Sequence, residues 1–108
     1  MAFHLDSLID KTHYPIESAQ KSNKSHRPIG IGTQGLADCL CKMKLSWGTQ
    51  KALDLDEKIH ATIYHAALSA SSDLAKKNGP YSSFVGSPAS MGILPVSYTH
   101  LTLPTNCV

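Results

Sequence analysis

The apolar positions of this 108-residue chain fall at helical spacing through much of its length, and the polar breaks between them mark where helices should stop. The strongest pattern covers residues 50–78. Leu55, Ile59, Ile63, Ala66 or Ala67, Ala70 and Leu74 recur at steps of three and four, which places them on one face of a helix. Thr49 stands at the N-cap position. Lys76, Lys77, Asn78, Gly79 and Pro80 close the stretch with cations, a capping glycine and a proline. A second stripe of Tyr64, Leu68 and Ala75 flanks the first, so the helix calls for neighbours on more than one side. At 1.5 Å per residue it is roughly 40 Å long, more than a lone domain of this size usually needs.

Shorter elements precede it. Phe3, Leu5, Leu8 and Ile9 predict a short amphipathic helix that Thr12-His13-Tyr14-Pro15 ends, because the residue before a proline avoids the helical region. Pro15 suits the first turn of a second helix and Glu17 favours its positive end, which predicts a helix over residues 15–21 followed by a loop over 22–26. Residues 29–33 predict a strand. Residues 34–44 predict a helix with Leu36, Cys39, Leu40 and Met43 on one face and Lys42 and Lys44 near its negative end. After Pro80 the chain turns to Tyr, Ser, Gly and Pro, with Tyr81, Phe84 and Ile93 as its strong anchors, and reads as an extended loop over a larger body.

The stretch that joins these halves is Arg27-Pro28-Ile29-Gly30-Ile31-Gly32-Thr33-Gln34-Gly35-Leu36-Ala37-Asp38. Gly30, Gly32 and Gly35 satisfy G-x-G-x-x-G, a spacing that lets backbone approach a pyrophosphate at a helix N-terminus. That motif needs a buried strand before it, and residues 23–28 are polar and broken by a proline. Asp54 and Asp56 lie at the distance of a ribose-binding acid but at the start of a helix rather than the end of a strand.

The same stretch resembles the R-P-I-G-I-G-x-Q-G-L-A-D signature of the large, catalytic subunit of class I ribonucleotide reductases. Leu8-Ile9-Asp10, Tyr14-Pro15, Ser22-Asn23, His26, Thr62-Ile63-Tyr64, Leu74-Ala75, Gly79-Pro80-Tyr81 and Gly86-Ser87-Pro88 follow the family's order and spacing, so the likeness covers residues 5–94. Thr33 departs from it, standing where an aliphatic residue is usual. Cys39 and Cys41 replace apolar or aromatic residues, and Ser46-Trp47-Gly48 replaces a Pro-Phe-Asp turn. Residues 95–108 resemble translated sequencing-adapter sequence and are read as a tail not native to the protein.

Composition narrows the chemistry. With 42% hydrophobic and 6% aromatic residues the core should be thin, and a net charge of +2 with both signs interspersed offers no basic stripe for nucleic acid. No window is long and apolar enough to span a membrane and no leader is evident, so a soluble, cytoplasmic chain is expected. Three cysteines, with Cys39 and Cys41 separated by one residue, lack the spacing of a zinc site and are read as reduced and structural. His60 and His65 are five apart, one off the spacing that puts two imidazoles on one metal, and read as surface or packing residues. Ser87 lacks the second glycine of a nucleophile elbow, and His26-Arg27 reads as a hydrogen-bonded turn rather than a phosphate site.

The resemblance implies a mostly helical α/β fragment of a ten-stranded α/β barrel, contributing one or two strands from residues 1–94. It implies thiyl-radical reduction of ribonucleoside diphosphates to deoxyribonucleotides for DNA synthesis, with ATP and deoxynucleotide effectors. It also implies a second large subunit and a metal-containing small subunit that supplies the radical. The family's catalytic cysteines and substrate-phosphate loop fall outside the matched span. No catalytic, cofactor-binding or metal-binding residue is therefore assigned, and the isolated fragment is expected to be inactive. Two rival readings are a small dinucleotide-binding oxidoreductase domain using Gly30, Gly32 and Gly35, and a noncatalytic helical module that docks through the long helix.

Overall fold

The computed structural model describes residues 1–94, and the tail assigned to residues 95–108 lies outside the described residues. Four α-helices follow one another: α1 (Ala2–Lys11), α2 (Glu17–His26), α3 (Leu36–Lys42) and α4 (Gln50–Asn78). A 3₁₀ turn at Pro88–Met91 comes last. The first helix packs against both α2 and α4.

α1 ends where the sequence predicts. Thr12 is extended, its hydroxyl donates to the Leu8 carbonyl at 2.6 Å, and the Tyr14 hydroxyl reaches back to the Ile9 carbonyl at 2.8 Å. α2 differs from expectation at both ends. Ile16 is extended and holds the N-cap, so the helix begins after the proline, and it runs through Ser22–His26 where a loop was expected. Nothing in Ser22, Asn23, Lys24 and Ser25 forces a break, and the stop comes at Arg27, which precedes Pro28 and so avoids the right-handed region. Arg27 is left-handed (φ 45, ψ 51), and its N–H donates to the Asn23 carbonyl at 2.8 Å.

α3 is shorter than predicted because Gly35, at φ 80, forms its N-cap and Lys44, at φ 56, turns the chain out of it. The Leu45 N–H reaches Leu40 at 2.9 Å and the Lys44 N–H reaches Cys41 at 3.0 Å, a Schellman closure with lysine at the position glycine usually fills. α4 has the predicted bounds. Its caps differ in one respect, since the Thr49 hydroxyl donates to the Ser46 carbonyl at 2.8 Å instead of accepting from the helix.

The strand predicted at residues 29–33 is not formed, and there is no strand among the described residues. A strand needs a neighbouring backbone, and none of the described residues supplies one; residues 29–33 make no backbone hydrogen bond among them. Burial tells the same story. Among the described residues only Ala2, Ile9, Leu40 and Ala52 are buried, while Trp47 is 73% exposed and Val85 89%. On α4 the predicted inner face of Leu55, Ile59, Ile63, Ala67, Ala70 and Leu74 is half-buried rather than covered, and Ala66 is exposed. The Cα radius of gyration, 17.0 Å, exceeds the roughly 13 Å of a self-contained domain of this length.

Candidate functional site

The glycine-rich stretch does not assemble a dinucleotide site. Of Gly30, Gly32 and Gly35, only Gly35 adopts a positive φ, and a Cβ at any of the three would meet open space, so no backbone cradle closes around them. The strand that should precede the motif is missing among the described residues, and the helix that follows has seven residues.

Immediately before it, Arg27 builds the densest polar cluster of the described residues. Its Nε donates to Asp6 Oδ1 at 2.7 Å, and Nη1 and Nη2 donate to the two Asp10 oxygens at 2.9 Å each. Nη2 also donates to the Asp6 carbonyl at 2.9 Å. Asp6 and Asp10 are four apart on α1 and therefore share a face, which lets one planar guanidinium bridge both. The hydrogen bond from Arg27 holds the Asp10 carboxyl below its ordinary range, and the two carboxylates push the guanidinium further up. The cluster ties the C-terminus of α2 to α1, and its donors are directed at carboxylates, so it offers no phosphate site. Sequence reading singled out Arg27 but missed its partners, whose signal was a carboxylate pair at helical spacing.

His26 is likewise engaged. Its Nδ1 lies 2.6 Å from Ser83 Oγ, and Ser83 donates to the Ser25 carbonyl through both its N–H, at 3.2 Å, and its hydroxyl, at 3.0 Å. The segment after α4 is thereby tied to α2. Tyr81 and Phe84 stack edge to face, 5.6 Å apart. Ser87 caps the 3₁₀ turn, its hydroxyl donating to the Phe84 carbonyl at 2.6 Å and accepting from the Ser90 N–H at 3.3 Å, which is a structural duty.

The remaining candidates do not converge. His60 bonds Asp56 and Thr33, while His65 is exposed. Cys39 and Cys41 are free thiols on α3, one half-buried 4.0 Å from Met43 Sδ and the other exposed; Cys107 lies outside the described residues. No group of three His, Cys, Asp or Glu side chains among the described residues could hold a metal, and no helix among them is long and apolar enough to cross a membrane. One apolar groove of about 450 Å³ opens between the start of α1, residues 31–33 and α4, with Phe3, Ile31, Ile63 and Ala67 in its walls.

An incomplete core, a glycine-rich segment without backbone pairing and a helix whose apolar stripes are only half-buried describe a piece of something larger, and comparison with known proteins identifies it. The model of the ribonucleotide reductase barrel domain matches residues 1–104. The chain belongs to this family. It is similar to a ribonucleoside-diphosphate reductase large subunit of Caenorhabditis elegans, with 47% identity over 96% of this chain and 13% of the relative. The large chain of Neurospora crassa is 48% identical over 95% of this chain and 11% of its own length. Large chain 2 of Saccharomyces cerevisiae is 50% identical over 84% and 10%. The chain thus spans about one-eighth of the length of the first of these reductase relatives. The resemblance carried by Arg27 to Asp38 is correct. Of the ribonucleotide reductase barrel, the described residues show helices and not the sheet.

Proposed function

We propose that this chain is an internal part of the barrel of a ribonucleoside-diphosphate reductase large subunit, where it supplies scaffold rather than reacting groups. The observation that supports the reading is identity of 47–50% to large subunits over 84–96% of the chain, against 10–13% of theirs. In the whole protein the reaction replaces a ribose hydroxyl by hydrogen, releases water and oxidises two thiols to a disulfide. A radical generated in a metal-containing small subunit would initiate it, and nucleotide effectors would tune it. None of those groups is assigned here. The part played by these residues is mechanical: α4 covers the outside of the barrel, residues 29–33 join its sheet once neighbouring strands are present, and the Arg27 clamp fixes the entry to that strand.

A chimera tests this. Residues 1–94 replace the matching span of the yeast large chain 2, and the purified protein is assayed with its small subunit for reduction of a ribonucleoside diphosphate. Turnover within about tenfold of the parent is expected, since the exchanged residues touch no reacting atom. A folded chimera with no turnover would overturn the scaffold reading.

A further inference from the structure

Nothing within residues 1–94 requires Gly30 and Gly32 to be glycine. Neither adopts a positive φ, and a Cβ built on either meets nothing within 4 Å among the described residues. Glycine loses more conformational freedom on folding than alanine and packs no side chain, so two of them in a five-residue strand weaken it unless something else calls for them. They alternate with Ile29, Ile31 and Thr33. In a strand successive residues point to opposite faces, which puts the three side chains on one face and the two glycines on the other. Ile31 and Thr33 are turned to α4: both line the apolar groove across from Ile63 and Ala67, and Thr33 Oγ1 lies 3.2 Å from His60 Nε2. The bare face is the one turned away from α4.

From this alternation we propose that Gly30 and Gly32 form a side-chain-free face inside the barrel, on which a segment of the large subunit's own chain packs directly against the strand backbone. This rests on the scaffold reading, which places residues 29–33 in the sheet with α4 outside it, so that the face away from α4 is the inner one. Bare backbone there would leave a void unless something fills it, because protein interiors are packed as densely as organic crystals. The chain covers only 13% of the Caenorhabditis elegans relative, so ample chain lies beyond it to do so. Two glycines one residue apart let that segment come closer than the roughly 10 Å at which side-chain-bearing sheet faces stack. The chemistry of the face selects a polypeptide over a nucleotide. Once the strand is paired, its N–H and C=O groups lie in the sheet and point to neighbouring strands. Only Cα hydrogens remain on the face, which the carbonyls of a passing chain can contact and which offer no strong donor to a phosphate.

The chimera of residues 1–94 in the yeast large chain 2 carries the test. Gly30 and Gly32 are each replaced by Ala and by Val, and Thr33→Val places the same side chain on the opposite face. On an open face the thermal midpoint should rise from glycine to alanine to valine, the order of strand preference. On a packed face the order reverses. The reversed order is expected: without substrate, each alanine lowers the midpoint by about 3 °C or more and each valine by more still, while Thr33→Val stays within about 1 °C. Turnover should fall about tenfold or more with the glycine variants. If the valine variants do not fold, the alanine pair decides, and if the chimera does not fold, the same exchanges are made at the signature glycines of the unexchanged large chain 2. Midpoints that rise or stay level from glycine to valine would show an open face and overturn the proposal. A level midpoint with a raised KM for the ribonucleoside diphosphate would put substrate on the face instead, and would overturn it equally. Turnover of the unsubstituted chimera reads the scaffold role separately, so either reading can fail while the other stands.

Discussion

At position 27 the backbone and the side chain pull in opposite directions. A left-handed conformation in a non-glycine residue costs about 1 kcal/mol, and Pro28 disfavours the right-handed alternative. The side chain offsets this with four charge-assisted donations to Asp6 and Asp10, and in doing so separates two carboxylates that would otherwise repel at helical spacing. Arg27→Ala keeps the strain and loses the clamp, so it should cost about 1–3 kcal/mol by urea titration. Arg27→Gly loses the clamp but relieves the backbone, and should be the milder change by roughly 1 kcal/mol. Arg27→Lys retains charge without the planar fork and should fall between wild type and alanine. Equal midpoints for the alanine and glycine variants would show that the strain is not real. The acid response has a defined sign. Asp10 titrates below its unfolded value of 3.8 because Arg27 donates to its charged form, so its contribution is complete above about pH 4 and is lost as pH falls through the lower folded value. The gap between wild type and Arg27→Ala should narrow on acidification through that window and stay constant from pH 5 to 8.

Elements differ in how much of their own reason they carry. α4 contains its own: a sustained period, a proline and glycine at one end and a pair of lysines before them, so its bounds were legible in the sequence. The glycine-rich segment over residues 29–33 carries almost none, because a strand is a relation between two backbones and the second is absent from residues 1–94. α2 fell between these. Its polar composition suggested a loop, but the deciding event was the conformation that Pro28 imposes on Arg27, and the helix simply continues until that point. The Arg27 cluster and the Thr33–His60 bond were illegible for a further reason, since each joins residues 17 to 27 positions apart that only the fold brings together. For α4 the prediction follows from half-burial. Ile63 lines a groove that stands open in this chain, so Ile63→Asp should cost only about 1 kcal/mol here, and several in a whole large subunit where the groove is covered. Exposed Lys58→Ala should change neither by more than about 0.5 kcal/mol. A large loss from Ile63→Asp in the isolated chain would mean that the groove is already filled, and an equal loss from Lys58→Ala would mean that the helix register is wrong.

For the whole molecule the deciding quantities are how much is buried and which thiols are in reach of one another. Four buried apolar residues among the 94 described, two of them alanines, leave little to offset the conformational entropy of ordering that stretch. Exposed Phe3, Leu8, Met43, Trp47 and Leu53 should make the isolated chain bind hydrophobic dyes and self-associate. Reductase chemistry asks for the opposite: a nucleoside diphosphate held against one radical-bearing thiol, two more thiols close enough to form a disulfide, and water excluded from all of them. Cys39 and Cys41, two apart on a seven-residue helix, project to different faces, and the exposure of Cys41 leaves its thiol in water. The groove beside α4 is lined by apolar side chains, and neither thiol is among the residues that form it. We therefore expect that the purified chain, supplied with a competent small subunit, substrate, effector and reductant, yields no deoxyribonucleotide above background. The chimera carrying the same residues in a complete barrel should turn over. Product from the isolated chain that disappears in Cys39→Ser or Cys41→Ser would contradict this, because it would require these two thiols to work without the walls that the rest of the large subunit provides.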